Sequence, residues 1–312
     1  MLEGKVALVT GAGRGMGRAH ALLLAQAGAH IVVNDLGGSP HGEGKDAGPA
    51  EEVVAEIVAM GGKAVCSALS VSEWTNAREI VATAIDNFGR LDIVVNNAGI
   101  TRFQTFGDMD ELGWDLPVDI MLKGTAAIIN WTARHWRDVG READRAIINI
   151  SSPAGPHPLP SGASYCASKA GIVALTQVAA QELAPLGVRA NAVAPMARTR
   201  MMDAAPEMLA LMQAQEGFDR YLPEHVAPLI LYLASPSCKF TGRLFGIEGD
   251  DVFLFNEWSA DHHASNAGRQ WTVEELADAL SSFDPAPTRW TLFPGGRVEL
   301  PFPPPEVVRS LG

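Results

Sequence analysis

The chain has 312 residues, 47% of them hydrophobic and 19% charged, with a formal net charge of -12. That length holds one large domain or two modest ones with a full core, and the composition excludes bulk disorder. The acidic balance excludes a nucleic-acid partner, which needs clustered lysine and arginine.

Val6-Ala7-Leu8-Val9 is a short apolar run that predicts a first strand. Gly15 to Ala27 reads as a helix, with Ala19, Leu22, Leu23 and Ala27 at helical spacing. Ile31 to Val33 predicts a second strand, and Leu36 to Gly48, with five glycines, Pro40 and His41, a long loop after it. Pro49 to Met60 is helical, Ala64 to Cys66 a third strand, Glu73 to Phe88 a helix and Asp92 to Val95 a fourth strand. A longer helix is expected over about 115–139, then a fifth strand at Ala146 to Ile150. Gly162 to Ala184 is a helix stopped near Pro185, Arg189 to Val193 a sixth strand, and Leu244 to Ile247 a seventh.

These strands are apolar on both faces, the mark of a parallel sheet covered by helices on both sides. The fold class is therefore α/β, a doubly wound parallel seven-stranded sheet of Rossmann type with right-handed crossovers. Residues 1–250 are expected to form this nucleotide-binding domain. The alternation stops there, and 251–312 reads as a C-terminal extension packed on the main domain. It holds Trp258, Trp271 and Trp290 and one short helix, where Thr272 and Glu275 form a capping box and Val273, Leu276, Ala277 and Leu280 an apolar face. Pro301 to Pro305 predicts an extended end.

Thr10-Gly11-Ala12-Gly13-Arg14-Gly15-Met16-Gly17 joins the first strand to the first helix. Gly11, Gly15 and Gly17 allow a tight turn and close approach of a pyrophosphate, and the helix N-terminus adds free N–H groups and a positive dipole end. Asp35, 18 residues beyond Gly17, is placed to accept hydrogen bonds from the adenine-ribose hydroxyls and to repel a 2′-phosphate, so NAD is expected over NADP. Arg14 works the other way, as a cation able to attract that phosphate. Asn96-Asn97-Ala98-Gly99 closes the fourth strand, where small residues let the backbone pass a bound ribose.

Tyr165 and Lys169, four apart on a predicted helix, share one face. An ordinary tyrosine, with pKa about 10, is a poor base at neutral pH. An ammonium beside it lowers that pKa by stabilising the phenolate, so Tyr165 is the expected proton carrier and Lys169 its partner. Ser152, 13 residues earlier at the end of the fifth strand, is placed to hold the substrate oxygen as charge develops.

TGAGRGMG at 10–17, NNAG at 96–99, Phe88 to Asp92 and YCASK at 165–169 together resemble the short-chain dehydrogenase/reductase family over roughly residues 4–250. The resemblance implies strand order 3-2-1-4-5-6-7. It implies a cofactor set of Gly11, Arg14, Gly15, Met16, Gly17, Asp35, Ser70, Val71, Asn97, Ala98, Gly99, Tyr165, Lys169, Pro195 and Thr199. It also implies a homodimer or homotetramer built on the helices at 115–139 and 162–184. VVNDLGG at 32–38, the loop behind it and APMARTRM at 194–201 resemble, more narrowly, the (3R)-hydroxyacyl-CoA dehydrogenase part of peroxisomal multifunctional enzyme type 2 and related bacterial hydroxysteroid dehydrogenases. This implies a bulky, apolar secondary alcohol as substrate and a role in lipid or steroid metabolism. Met121 departs from the family pattern where many members carry an Asn that helps hold a relay water. Ser70 stands where many have Asp, and Met196 where Gly is frequent.

Met196, Met201, Met202, Met208 and Met212 suit either a lid over an irregular apolar ligand or a helix packed on the core. Arg198 and Arg200 are placed to meet a CoA phosphate, and His262-His263 reads as a solvated turn rather than a metal site. Cys66, Cys166 and Cys238 lie far apart and lack zinc spacing, so no disulfide framework or metal is expected, and reduced thiols fit the cytoplasm. Met1 to Lys5 carries no secretory pattern, and no apolar run reaches membrane-spanning length. The alternatives are a catalytically silent nucleotide-binding sensor on the same fold, and an enzyme for a smaller cyclic alcohol.

Overall fold

A computed structural model describes residues 1–141, 144–201, 209–210, 212–213, 217–256 and 263–283. Strands and helices alternate as β1 (Val6–Thr10), α1 (Gly15–Gln26), β2 (His30–Asn34), α2 (Gly48–Ala59), β3 (Ala64–Ser67), α3 (Trp74–Phe88) and β4 (Ile93–Asn96). The second half follows with α4 (Glu111–Pro117), a π-helical turn at Val118–Lys123, α5 (Gly124–Val139), β5 (Arg145–Ile150), α6 (Ala163–Glu182) and β6 (Val188–Met196). It closes with α7 (Ala227–Ala234), β7 (Leu244–Glu248), β8 (Asp251–Leu254) and α8 (Val273–Leu280).

The sheet runs β3-β2-β1-β4-β5-β6-β7-β8. Its first seven strands are parallel, as the sequence predicts, and its order to β7 is the one implied by the family resemblance. β8 is an addition: it turns back at Gly249, whose φ is 61°, and pairs antiparallel with β7. Its sequence, DVFL, does carry an apolar run, but no helix separates it from β7, so it falls outside the strand–helix alternation and reads as tail in the sequence. The chain forms two compact units, Met1–Leu254 and Phe255–Gly312, so the sheet runs four residues past the expected boundary at 250.

β1 shows how both faces are used. Ala7 and Val9 enter one core with Leu24, Val53, Ile57 and Ile230, from α1, α2 and α7. Val6 and Leu8 enter the other with Ile80, Ile128, Trp136 and Ala179, from α3, α5 and α6. The long helix expected near 115–139 begins earlier, at Glu111, and is interrupted just after Pro117 by a π-helical turn, with right-handed helical backbone at each junction. The following π turn buries Met121 completely. α7, sequence APLILYLA, is too short and too apolar for its periodicity to declare a helix. α8 carries the expected capping box in full: Thr272 accepts from the Glu275 N–H, and Glu275 from the Thr272 N–H.

His20 in α1 is wholly buried, neither ring nitrogen has a hydrogen-bond partner, and burial pushes its pKa down to about 3. No described helix is long and apolar enough to cross a membrane. Trp258, His262, Trp290 and Pro301 to Pro305 lie outside the described residues, and His263 is exposed.

Candidate active site

The C-terminal ends of the strands converge on a glycine-lined hollow. Gly11 has φ 63°, and a Cβ there would meet the Cα of Ala98 at 2.8 Å. A Cβ on Gly17 would overlap the carbonyl oxygen of Gly11 and crowd Asn97 Nδ2 at 2.6 Å. Only bare backbone fits these two points, which lets turn and helix start close to β4. Thr10 ties the two edges together, its Oγ1 accepting from the N–H of Asn97 (3.0 Å) and of Ala98 (3.1 Å). The Asn97 amide donates back to the carbonyls of Thr10 and Gly11, both at 3.0 Å. Neighbouring residues of the quoted motifs thus hold each other in place, although the sequence reading assigned Thr10 no role.

Asp35, at the end of β2, accepts from the Gly13 N–H (2.8 Å) with one oxygen and from the Gly37 N–H (2.6 Å) with the other. Asn34 before it is buried and donates to the carbonyls of Ser67 and Leu69, both at 3.0 Å. It fixes the segment that leads to Ser70 and Val71. Asn34 was missed, because an Asn at a strand end has no motif that separates it from a cap.

These elements enclose a cavity of about 440 Å³. Its walls are the glycine turn with Arg14 and Met16, Asp35, Ser70 and Val71, Asn97 to Gly99, and Thr199. Ile100, Ile120 and Met201 add an apolar side, and Arg198 and Arg200 also face it. The residues present fit a dinucleotide: a side-chain-free turn at a helix N-terminus, with a carboxylate at the next strand end.

Pro195, Ser152, Tyr165 and Lys169 are not on that wall. Lys169 nevertheless abuts it, since a Cβ on Gly99 would lie 3.7 Å from its Nζ and 3.5 Å from Met121 Sδ. Gly99 is thus the meeting point of cavity, lysine and π turn. Lys169 is buried, donates to the Ile150 carbonyl at 2.8 Å, and lies 5.7 Å from the centroid of the Tyr165 ring. Ser151 Oγ donates to the Lys169 carbonyl at 2.8 Å and docks α6 on β5, a link missed beside its neighbour Ser152. Phe103 packs on Tyr165 with ring centroids 5.9 Å apart.

The electrostatics correct one expectation. Burial holds the Tyr165 phenol above its ordinary value, and a hydrogen bond with the Ser152 side chain pulls the other way without overcoming it. The same burial drives Lys169 down to about 8. Desolvation disfavours charge on both partners, and the Lys169 ammonium is not among the groups that shift the phenol.

On the lid side, Met196 and Met212 are buried, Met201 accepts from Thr101 Oγ1 at 3.1 Å, and Met202 and Met208 lie outside the described residues. Arg198, a candidate for a CoA phosphate, is ion-paired with Asp219 and donates to the Met212 carbonyl at 2.7 Å. Arg200 donates to the Gly38 carbonyl at 3.1 Å.

A doubly wound parallel sheet with a glycine turn at a helix N-terminus is the architecture of a dinucleotide-binding protein. Residues 5–210 match the short chain dehydrogenase family. Hydroxyacyl-CoA dehydrogenase ChsB1 of Mycobacterium tuberculosis is 38% identical over 90% of this chain and 89% of its own length. Peroxisomal multifunctional enzyme type 2 of Mus musculus is 39% identical over 78% of this chain, which spans 32% of that longer protein. A crystal structure of a short chain dehydrogenase from Mycobacterium avium superposes with a TM-score of 0.78 at 37% identity, covering 90% of this chain and 95% of its own. The chain belongs to the short-chain dehydrogenase family and is an oxidoreductase of that family, whose members use NAD or NADP.

Proposed function

We propose that the protein moves a hydride between a bulky secondary alcohol, of the 3-hydroxyacyl-CoA or hydroxysteroid type, and NAD. The observation that carries this reading is the close approach of Lys169, itself 5.7 Å from the centroid of the Tyr165 ring, to Gly99 on the cavity wall. Bound NAD supplies the hydride acceptor. In alcohol oxidation Ser152 holds the substrate oxygen, and Tyr165 takes the hydroxyl proton as it gives up its own phenol proton toward neutral Lys169. With a pKa of about 8, Lys169 is the group of the pair that first becomes able to receive one as pH rises. In ketone reduction Tyr165, protonated throughout the neutral range, gives the proton back.

The apolar side formed by Ile100, Ile120 and Met201 supports a bulky apolar substrate. The name of the mycobacterial relative supports the acyl-CoA class. Asp35 supports NAD over NADP, because a carboxylate held by two backbone N–H groups repels a 2′-phosphate. Gly11, Gly15, Gly17, Asn97 and Ala98 form the pyrophosphate and ribose side, and Ser70, Val71 and Thr199 on the same wall complete the cofactor set with Pro195, which lies off it. We assign the protein to the cytoplasm, as a homodimer or homotetramer, with the residues after the sheet as an appended unit.

The test is cofactor reduction across 3-hydroxyacyl-CoAs, hydroxysteroids and small cyclic alcohols, each with NAD and NADP. Turnover of the larger alcohols with NAD is expected. Turnover of small alcohols alone would replace the substrate class, NADP preference would remove the role of Asp35, and no turnover with any member would favour a silent sensor.

A further inference from the structure

The glycine-rich segment between β2 and α2 is a built loop. Its neck is closed where the Asp46 N–H donates to the Leu36 carbonyl at 2.9 Å, and where Gly37, with φ 78°, packs so tightly on the Asp46 backbone that no Cβ fits. Its tip is folded on itself by the Ser39 N–H, which donates to the Glu43 carbonyl at 2.7 Å. The tip is pinned across the cleft: the Thr101 N–H donates to the Pro40 carbonyl (3.2 Å), Arg102 Nε to the His41 carbonyl (3.1 Å), and Arg200 to the Gly38 carbonyl (3.1 Å). Such a compact loop with its ends together is an Ω-loop.

The neck sets Asp46 in a fixed place. One carboxylate oxygen accepts from the Gly48 N–H at 2.9 Å, where α2 begins, and the other lies 3.9 Å from the guanidinium of Arg14. Arg14 belongs to the glycine turn and lines the cavity near Asp35. Of the other arginines on that wall, Arg198 is paired with Asp219 and Arg200 is bonded to the loop. Arg14 is the cation nearest in sequence to the pyrophosphate turn, and the loop answers it with a carboxylate.

We propose that Asp46 is a second cofactor-specificity residue, which engages Arg14 and repels the 2′-phosphate that Arg14 attracts. This rests on the NAD reading above. Asp35 discriminates by occupying the ribose position, and Asp46 by cancelling the charge that would reward a phosphate. Like charges repel and opposite charges pair at these distances even in water, most strongly at low ionic strength.

The experiment is calorimetric titration of 5′-ADP and 2′,5′-ADP, at low salt, into wild type, Asp46→Asn, Arg14→Ala and the double variant. Asn keeps an oxygen for the Gly48 N–H, so the start of α2 is preserved. In Asp46→Asn, affinity for 2′,5′-ADP is expected to rise about three- to fivefold, the scale of an exposed charge pair, with 5′-ADP changed by less than about twofold. The gain is expected to vanish in the double variant. An unchanged ratio in Asp46→Asn, or a gain that survives Arg14→Ala, overturns the proposal. If Asp46→Asn does not fold, Arg14→Ala alone decides: a loss of 2′,5′-ADP affinity larger than about fivefold means that Arg14 was never masked. A wild type that favours 2′,5′-ADP over 5′-ADP removes the NAD reading instead, while the Asp46→Asn shift is judged separately against wild type.

Discussion

The two halves of the site are held by opposite means. At the cofactor end, position is set by what is missing: Gly11 and Gly17 carry no side chain, and the hydrogen bonds around them join backbone to Thr10, Asn97 and Asp35. At the proposed catalytic end, position is set by side chains packed into the fold, with the buried Lys169 on the Ile150 carbonyl and the partly buried Tyr165 between Phe103 and Ser152. A binding surface for a large polar group needs close approach, which absent side chains provide. A proton carrier needs a tuned pKa, which burial provides.

The sharpest break of this comparison is Tyr165→Phe. Loss of the phenol is expected to cut turnover by about a thousandfold or more while 5′-ADP binding stays within about twofold. Turnover and calorimetry on one preparation check both halves, and a variant that keeps a tenth of its activity would remove Tyr165 from the chemistry. Gly17→Ala should do the reverse. Its methyl overlaps the Gly11 carbonyl, and an overpacking cost of about 1–3 kcal/mol is expected to weaken 5′-ADP binding roughly ten- to hundredfold. The phenol and lysine stay untouched, so turnover at saturating cofactor falls far less than binding. Equal loss of both would mean that the two halves are not separable.

A third test concerns His20, buried in α1, the helix that follows the glycine turn. Its folded pKa of about 3 lies below the unfolded value near 6.5, so the unfolded state binds the extra proton between those values. Stability should therefore rise with pH through that window, and acid should cost about 2–3 kcal/mol by pH of about 4.5 relative to neutrality. In His20→Leu this share of the acid sensitivity should vanish, as read from denaturant midpoints at the two pH values. The same acid loss in the variant would mean that His20 is not a buried neutral imidazole.

Legibility followed the same division. The glycine turn, Asp35 and the parallel strands were readable because each is local: a spacing, a strand end, an apolar run. The start of that helix at Glu111 and the π turn after Pro117 were not readable, because a spacing argument sees neither a cap at Asp110 nor a change of hydrogen-bond register inside a helix. β8 was not readable as part of the sheet, because Val252 to Leu254 follow β7 with no helix between and so fall outside the strand–helix alternation. The direction of the Tyr165 shift was beyond any spacing argument. Pairing with a lysine is visible in sequence, but the desolvation that raises the phenol exists only when α6, β5 and the loop carrying Phe103 come together.

The most direct measurement of the proton path is alcohol oxidation as a function of pH, in wild type and Lys169→Met at saturating cofactor. A rising limb centred near pH 8 is expected in wild type, where Lys169 loses its proton, and that limb should disappear in the variant. An identical limb in both proteins would contradict transfer of the proton through the Tyr165–Lys169 pair.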